Sequence, residues 1–196
     1  MKNAATRDLY GYWDQLRGQR PAPERADIDP AAIRRVLGDT FIVEIDKAYA
    51  FPFRLAGTRM CALLGQELRG ASLLDRWTDC EAVRDLVLSV TNDLNACVVG
   101  VAGHTAQGHR LDLELLLLPL HHRGKANARI LGSLTPGETP YWIGLHPIVR
   151  FDIEAVEIVP QAQRAMLATS AFPACLPAGA KRFGHLTVVE GGKALV

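Results

Sequence analysis

The sequence predicts an α+β fold, on three observations. Apolar residues alternate with period two in short runs between Phe41 and Leu134, which is the spacing of strands with one buried face. A block of helical periodicity, broken by turn residues, separates the second run from the third. The passage Phe51–Gly70, FPFRLAGTRMCALLGQELRG, joins the two kinds of element: a strand runs through a glycine into a short helix and leaves through a second glycine. A strand-to-helix turn beside a sheet makes a pocket-forming architecture but names no chemistry.

The elements follow in chain order. Residues 6–19 are helical, because Leu9, Tyr12, Trp13 and Leu16 fall at i, i+3, i+4 and i+7, opposite Arg7, Asp14, Gln15 and Arg17. Gly18, Pro21 and Pro23 stop that helix. Residues 28–38 read as a second short helix, with Asp29 as N-cap, Pro30 in the first helical position and Gly38 at the exit. Phe41–Asp46 and Phe51–Ala56 form a hairpin. Thr58 caps the next helix, Met60, Cys61, Leu63 and Leu64 give it an apolar side, and Gly65 ends it in a left-handed turn. Ser72–Asp75 opens another helical turn ending near Trp77. TDCE at Thr78–Glu81 is a capping box for the longest central helix, whose stripe is Val83, Leu86, Val87, Val90 and Leu94.

Three strands complete the sheet: Cys97–His104, Arg110–Pro119 and Ala128–Leu134, joined as antiparallel neighbours by turns at Ala106–Gly108 and Leu120–Asn127. In RLDLELLLLP, Leu111, Leu113, Leu115 and Leu117 share one face. Asp112 and Glu114 begin the other face, and Leu116 and Leu118 finish it, so this strand starts half-solvated and ends buried on both sides. A Pro- and Gly-rich loop follows, pinned to the domain by Tyr141 and Trp142. Residues 149–159 alternate again as an extra strand, residues 160–182 read as a linker, and HLTVVE at His185–Glu190 reads as a late strand or a docking peptide. The division is an N-terminal helical extension (1–40), a central domain (41–155), and a linker with C-terminal tail (156–196).

The chain of 196 residues is long enough to bury a real core. Its formal charge of +1 argues against nucleic-acid binding by bulk charge, though a small basic patch stays open. The longest unbroken aliphatic run, Leu115–Leu118, is far short of a membrane span, and the N-terminus lacks an apolar stretch of signal-peptide length. Cys61, Cys80, Cys97 and Cys175 are scattered, so they read as reduced thiols in a cytoplasmic protein.

The element order resembles that of PAS domains. FRLAGTRMCALLGQELRGASLLD is similar to the PAS passage in which the second strand leads through a glycine into a helix and then into a G-x-x-L-x-G turn, here Gly65, Leu68 and Gly70. More closely, the chain is similar to a bacterial family of stand-alone PAS proteins, formerly classed as a domain of unknown function. The resemblance rests on a Trp-containing N-terminal helix (YWDQLRGQRPAPERADIDP), on GTRMCALLG, on LLLLPL, and on RILGSLTP followed by Tyr141 and Trp142. It covers roughly residues 7–155, and the motifs are specific as a combination. The resemblance implies a five-stranded antiparallel sheet with helices over one face. It also implies sensing or protein–protein signalling, often as a homodimer.

Against that expectation the usual cofactor chemistries are missing. Helix Asp79–Leu94 carries no histidine to ligate haem, and the nearest, His104 and His109, lie at a strand end and a turn. MCALLG lacks the flavin-adduct pattern of light sensors, so Cys61 reads as a small core residue. No cofactor and no metal is expected. His121 and His122, beside Arg123 and Lys125, read as a solvated basic turn. Asp112 and Glu114 read as a wet strand face rather than an acid/base pair.

The residues placed nearest a ligand are Arg54 and Arg59, which either anchor an anion or pair with Glu67 or Asp75 at the surface, together with Cys61 and Trp77. Trp77 either walls a pocket or fills the core. Leu9, Tyr12, Trp13 and Leu16 are the interface candidates, packing on their own sheet or on a second copy. The expectation is a cytoplasmic, non-enzymatic signalling protein acting through a protein partner and modulated by a small apolar ligand. The alternative is a cofactor-binding module or, third, an enzyme on the same pocket.

Overall fold

Strand β4 (Arg110–His122) is the axis of the fold, because its side chains are apolar on both faces through Leu115–Leu120. The protein is described from a computed structural model covering residues 1–123, 125–159, 181–183 and 186–188, without the side chains of 125–127, 181–183 and 186–188. The chain divides into two compact units after Gln161.

The first unit opens with α1 (Ala4–Arg17), whose first turn is capped by the Asn3 side chain accepting from the Ala5 amide at 2.9 Å. Residues 30–36 then form successive turns, not the expected helix, and close in a 3₁₀ turn at Leu37–Asp39. Only Ile33 and Val36 of residues 30–36 are buried, too little apolar stripe to repay helix nucleation. The Asp29 side chain does start the first turn, accepting from the Ala31 amide at 2.9 Å.

The remaining elements are β1 (Thr40–Glu44), β2 (Phe53–Ala56), α2 (Thr58–Leu64), α3 (Cys80–Asp93), β3 (Ala96–Thr105), β4, β5 (Lys125–Pro136) and β6 (Ile148–Val159). All pairings are antiparallel, in the order β2-β1-β5-β4-β3-β6. The alternating stretch after residue 148 is therefore a sixth strand, added beside β3. The expected turn at Leu120–Asn127 is shorter than its sequence suggests, since pairing continues to His122 opposite Lys125. In the second unit, β7 (Lys181–Phe183) pairs with β8 (Leu186–Val188), and β8 falls within the expected late strand.

Two of the expected caps move. Gly57, not Thr58, is the N-cap of α2. Asp79, not Thr78, caps α3, accepting from the Ala82 amide at 2.9 Å. Gly65 ends α2 at φ 66°, the left-handed turn read from the sequence. Gly132 on β5 is needed for a different reason: a Cβ there would lie 2.2 Å from the Phe41 ring and 2.6 Å from the Leu116 carbonyl. Phe41 crosses β5 at that gap and meets Phe53 edge-on, with centroids 5.5 Å apart at 78°.

Each face of the sheet has its own core. Leu111, Leu113, Leu115 and Leu117 of β4 pack with Phe41, Phe53 and the apolar sides of α2 and α3. Leu116, Leu118 and Leu120 point the other way and pack with Leu9 and Trp13 of α1, with Ile28, Ile33 and Val36, and with Ile42 and Leu131. Helices thus cover both faces, where one was expected.

Trp13 is 1% exposed, and its indole N–H donates to the Pro119 carbonyl at 2.9 Å. Arg17 lies 5.0 Å over the ring. Leu9 and Trp13 are therefore buried within their own chain, packed on their own sheet rather than on a second copy. The second face of β4 needs cover, and α1 supplies it. Tyr12 and Leu16 remain half-buried, with the Tyr12 hydroxyl accepting from the Asp29 amide at 2.7 Å. Among the described residues no helix is long and apolar enough to cross a membrane.

Trp13→Ala removes a buried ring and strands the Pro119 carbonyl. The expected cost is about 3–5 kcal/mol of unfolding free energy. Equilibrium denaturation checks it, and a loss below about 1 kcal/mol, a surface-type value, would remove α1 from the core.

Candidate functional site

The loop from Gly65 to Trp77 closes over the first face of the sheet. The Ser72 hydroxyl donates to the Ala50 carbonyl at 2.5 Å and accepts from the Leu74 amide at 3.0 Å, while the Asp75 carboxylate accepts from the Ser72 amide at 3.1 Å. Under this loop lies a cavity of about 30 Å³, lined chiefly by Phe41, Phe53, Met60, Leu68, Trp77 and Phe151, with Gln66, Asp75 and Arg76 also contributing. That volume suits about two waters; small-molecule pockets are roughly 300–1,000 Å³.

One wall of the cavity belongs to β6. Trp77 and Phe151 have ring centroids 5.2 Å apart. Their backbones form a parallel bridge: the Phe151 amide donates to the Arg76 carbonyl at 2.7 Å, and the Thr78 amide donates to the Phe151 carbonyl at 3.0 Å. The Arg76 guanidinium donates to the Ile148 carbonyl. Thr78, expected as a helix cap, instead donates its hydroxyl to Asp152 at 2.5 Å. That bond, first among several, holds the Asp152 carboxyl below its usual range, with Arg150 and His104 adding to it. His104 Nε2 stands 3.1 Å from the same carboxylate.

The four expected ligand residues separate. Trp77 is a cavity wall. Cys61 packs at the margin of the core, 3.9 Å from the Glu67 carboxylate. Arg54 is half-exposed and donates to Glu44 at 2.8 Å, and Arg59 forks onto Asp39, with Nε–Oδ1 at 2.7 Å, and donates to the Arg35 carbonyl at 3.1 Å. Arg54 makes a surface pair with Glu44 and Arg59 pairs with the buried Asp39, because β1 and the 3₁₀ turn lie nearer than Glu67 or Asp75. Neither lines the cavity. The sequence reading left out Phe151 as a wall, although its alternation with Ile153 was visible. Two register shifts in the β3–β6 pairing turn Phe151 inward and leave Val149 47% exposed.

Other reactive side chains serve structure. Trp142 is buried and stacks on His109 at 5.0 Å, and His146 stacks on the same imidazole at 5.4 Å, whereas Tyr141 is 85% exposed and pins nothing. The Cys97 thiol is pushed up to about 11, by burial first and then by Glu157. Cys61, Cys80 and Cys97 are free thiols; Cys175 lies outside the described residues. No group of three or more metal-type ligands occurs among the described residues.

Asp112 is exposed and paired with Arg110 at 3.1 Å. Glu114 accepts from the Lys2 and Asn3 amides at 2.6 and 3.1 Å, which ties β4 to the start of α1. Burial disfavours its charge, but bonds from Lys2, Thr6 and Asn3 outweigh that and hold the carboxyl below its ordinary range. A general base working near neutral pH needs the opposite shift.

A family model described as a PAS domain matches residues 1–135, which takes in α1 through most of β5 and stops before β6. Among solved structures, the Rhodobacter sphaeroides LOV protein is similar at TM-score 0.42 and 18% identity, over 59% of this chain and 73% of that one. The PAS domain of an HTR-like protein from Haloarcula marismortui is similar at TM-score 0.40 and 19% identity, over 54% of this chain and 90% of that one. No curated protein matches.

Because the Glu114 pKa is lowered in the folded state, its stabilisation is present above the ordinary value of 4.5 and is lost as pH falls through the folded-state value. Glu114→Gln should cost about 1–2 kcal/mol at neutral pH and flatten the acid limb of the stability curve. Denaturation measured across pH checks it: an acid limb unchanged in the variant would contradict this role.

Proposed function

The chain belongs to the PAS domain family, and on that premise we propose that it is a cytoplasmic signalling protein that works through protein contacts, biased by what fills its small apolar cavity. Domains of this family are in general sensory modules, not catalysts. The observation that carries the reading is the shared wall: Trp77 borders the cavity and is bridged through its backbone to Phe151 of the edge strand β6.

The physical route is short. A small apolar molecule entering a cavity of about 30 Å³ must displace side chains, and Trp77 and Phe151 stand on the segment and strand bordering it. A shift of Phe151 moves β6 against β3. Further along β6, Val156 and Ile158 are 46% and 49% exposed, so the strand already offers apolar surface. A ligand that favours one position of β6 shifts the population of the surface presented to a partner, in proportion to its differential affinity for the two positions. A second copy of the chain is the partner this reading names, in a homodimer seated on β6 and on Tyr12 and Leu16, the half-buried part of the α1 stripe. The small volume and apolar lining support modulation by a small ligand over residence of a large cofactor.

Val156→Lys with Ile158→Lys, read by sedimentation velocity over a concentration series, tests the proposal. The expected result is a wild-type dimer and a double variant that is monomeric with an unchanged unfolding midpoint. A wild-type monomer at every concentration, or a dimer indifferent to both substitutions, would overturn the β6 contact.

A further inference from the structure

The corner of the sheet where β4 turns into β5 concentrates positive charge, with Arg25, Arg54, Arg123 and Arg129 set against Glu24, Glu44 and Asp46 among the described residues. Arg129 on β5 stands opposite Leu120 of β4 and Glu44 of β1. The segment after α1 reaches the same corner: the His121 amide donates to the Pro23 carbonyl at 3.0 Å, and Glu24 bridges to His121, which brings Arg25 alongside. Arg54 arrives through its ion pair with Glu44, and Arg123 occupies the hairpin end. Arg25, Arg54 and Arg123 all act on Arg129 as like charges. Glu44 is shared between Arg54 at 2.8 Å and Arg129 at 3.5 Å, so one carboxylate serves two guanidinium groups. Glu24, acting on His122, and Asp46, acting on Arg54, are the other acidic neighbours. The chain as a whole carries only +1, so the excess is local.

Two further observations turn this cluster into a site. Arg25 Nε, His121 Nε2 and Arg129 Nε are buried and lack a hydrogen-bond partner among the described residues. Buried polar atoms are seldom left so. Arg123 also holds φ 53°, a left-handed conformation that asparagine or glycine adopts with less strain. An arginine there keeps a positive charge at the hairpin end against the local backbone preference.

We propose that this corner binds an oxyanion, the phosphate group of a small phosphorylated molecule, through Arg25, His121 and Arg129, with His122 and Arg123 at the rim. Donors that come from a preceding segment, from β4 and from β5 suit a group with oxygens on several sides. A carboxylate, planar and with two oxygens, engages one guanidinium fork and leaves the others unmet. The site is separate from the cavity under the Gly65–Trp77 loop and shares no lining residue with it.

His122 supplies a readout besides affinity. Its imidazole is held below its ordinary range, first by desolvation and then by the Arg129 and Arg123 charges. A bound oxyanion offsets those charges and returns the value upward.

Inorganic phosphate is the probe, titrated into the full chain at constant ionic strength against chloride. The histidine ring protons are followed by NMR and the heat by calorimetry. The expected result is a saturable change with phosphate, an upward shift of the His122 titration, and about tenfold weaker binding in Arg129→Gln or Arg25→Gln. Arg25→Gln, on the segment outside the sheet, carries the test if Arg129→Gln disturbs folding as read by circular dichroism. No saturation, an equal response to chloride, or saturation unchanged in the variants would overturn the site. Saturation by an acidic peptide but not by phosphate would overturn the phosphate assignment.

Discussion

A strand that is apolar on both faces cannot end a fold at a two-layer sandwich. From Leu115 to Leu120 every residue of β4 is buried, with successive side chains pointing to opposite sides. One layer of helices satisfies Leu115 and Leu117; Leu116, Leu118 and Leu120 demand a second. That demand is what draws α1 and the segment 28–36 onto the sheet, and Trp13, bonded to the Pro119 carbonyl, fastens α1 to the C-terminal part of the strand. The acidic start of β4 joins the same arrangement, because Glu114 receives the first amides of the chain. The N-terminal segment is thus part of the domain's core, in keeping with a family match that begins at residue 1.

With both faces occupied, the sheet's edges and ends remain for function. At one edge, β6 is attached twice: by its ladder to β3 and by the bridge from Phe151 to Trp77. The second attachment links the edge to the interior cavity without any intervening element. At the β4–β5 end, the polypeptide gathers Arg25, Arg123 and Arg129, which have no apolar role. The two places differ in chemistry, one apolar and one cationic, and they suit different ligands.

Much of this was legible in the sequence because periodicity reports burial. The strands of the sheet, the helix at 80–93, the exit at Gly65 and the two-faced end of β4 all follow from spacing. The location of α1 was half legible: the sequence showed an apolar stripe needing cover and a strand face needing cover, but not that each was the other's answer. Pairing at such separation carries no local signal. Thr78 illustrates a second limit, since Thr-x-x-Glu reads as a capping box whichever hydroxyl partner is nearest, and Asp152 lies 74 residues away. The cavity wall at Phe151 depended on bulges in β6, which shift side chains between faces and leave little trace in composition. The basic corner was read as a solvated turn because Arg25 is distant in sequence from His121 and meets it only through the fold.

The second core of the domain depends on α1 as a structural layer, and backbone hydrogen exchange on the full chain tests that most directly. If α1 completes the second core, the amides of Leu9 and Trp13 exchange through the same global opening as those of Leu116 and Leu118, with matching free energies that do not depend on protein concentration. Exchange of α1 through a separate, much cheaper opening while β4 stays protected would contradict it, and so would protection that appears only as concentration rises.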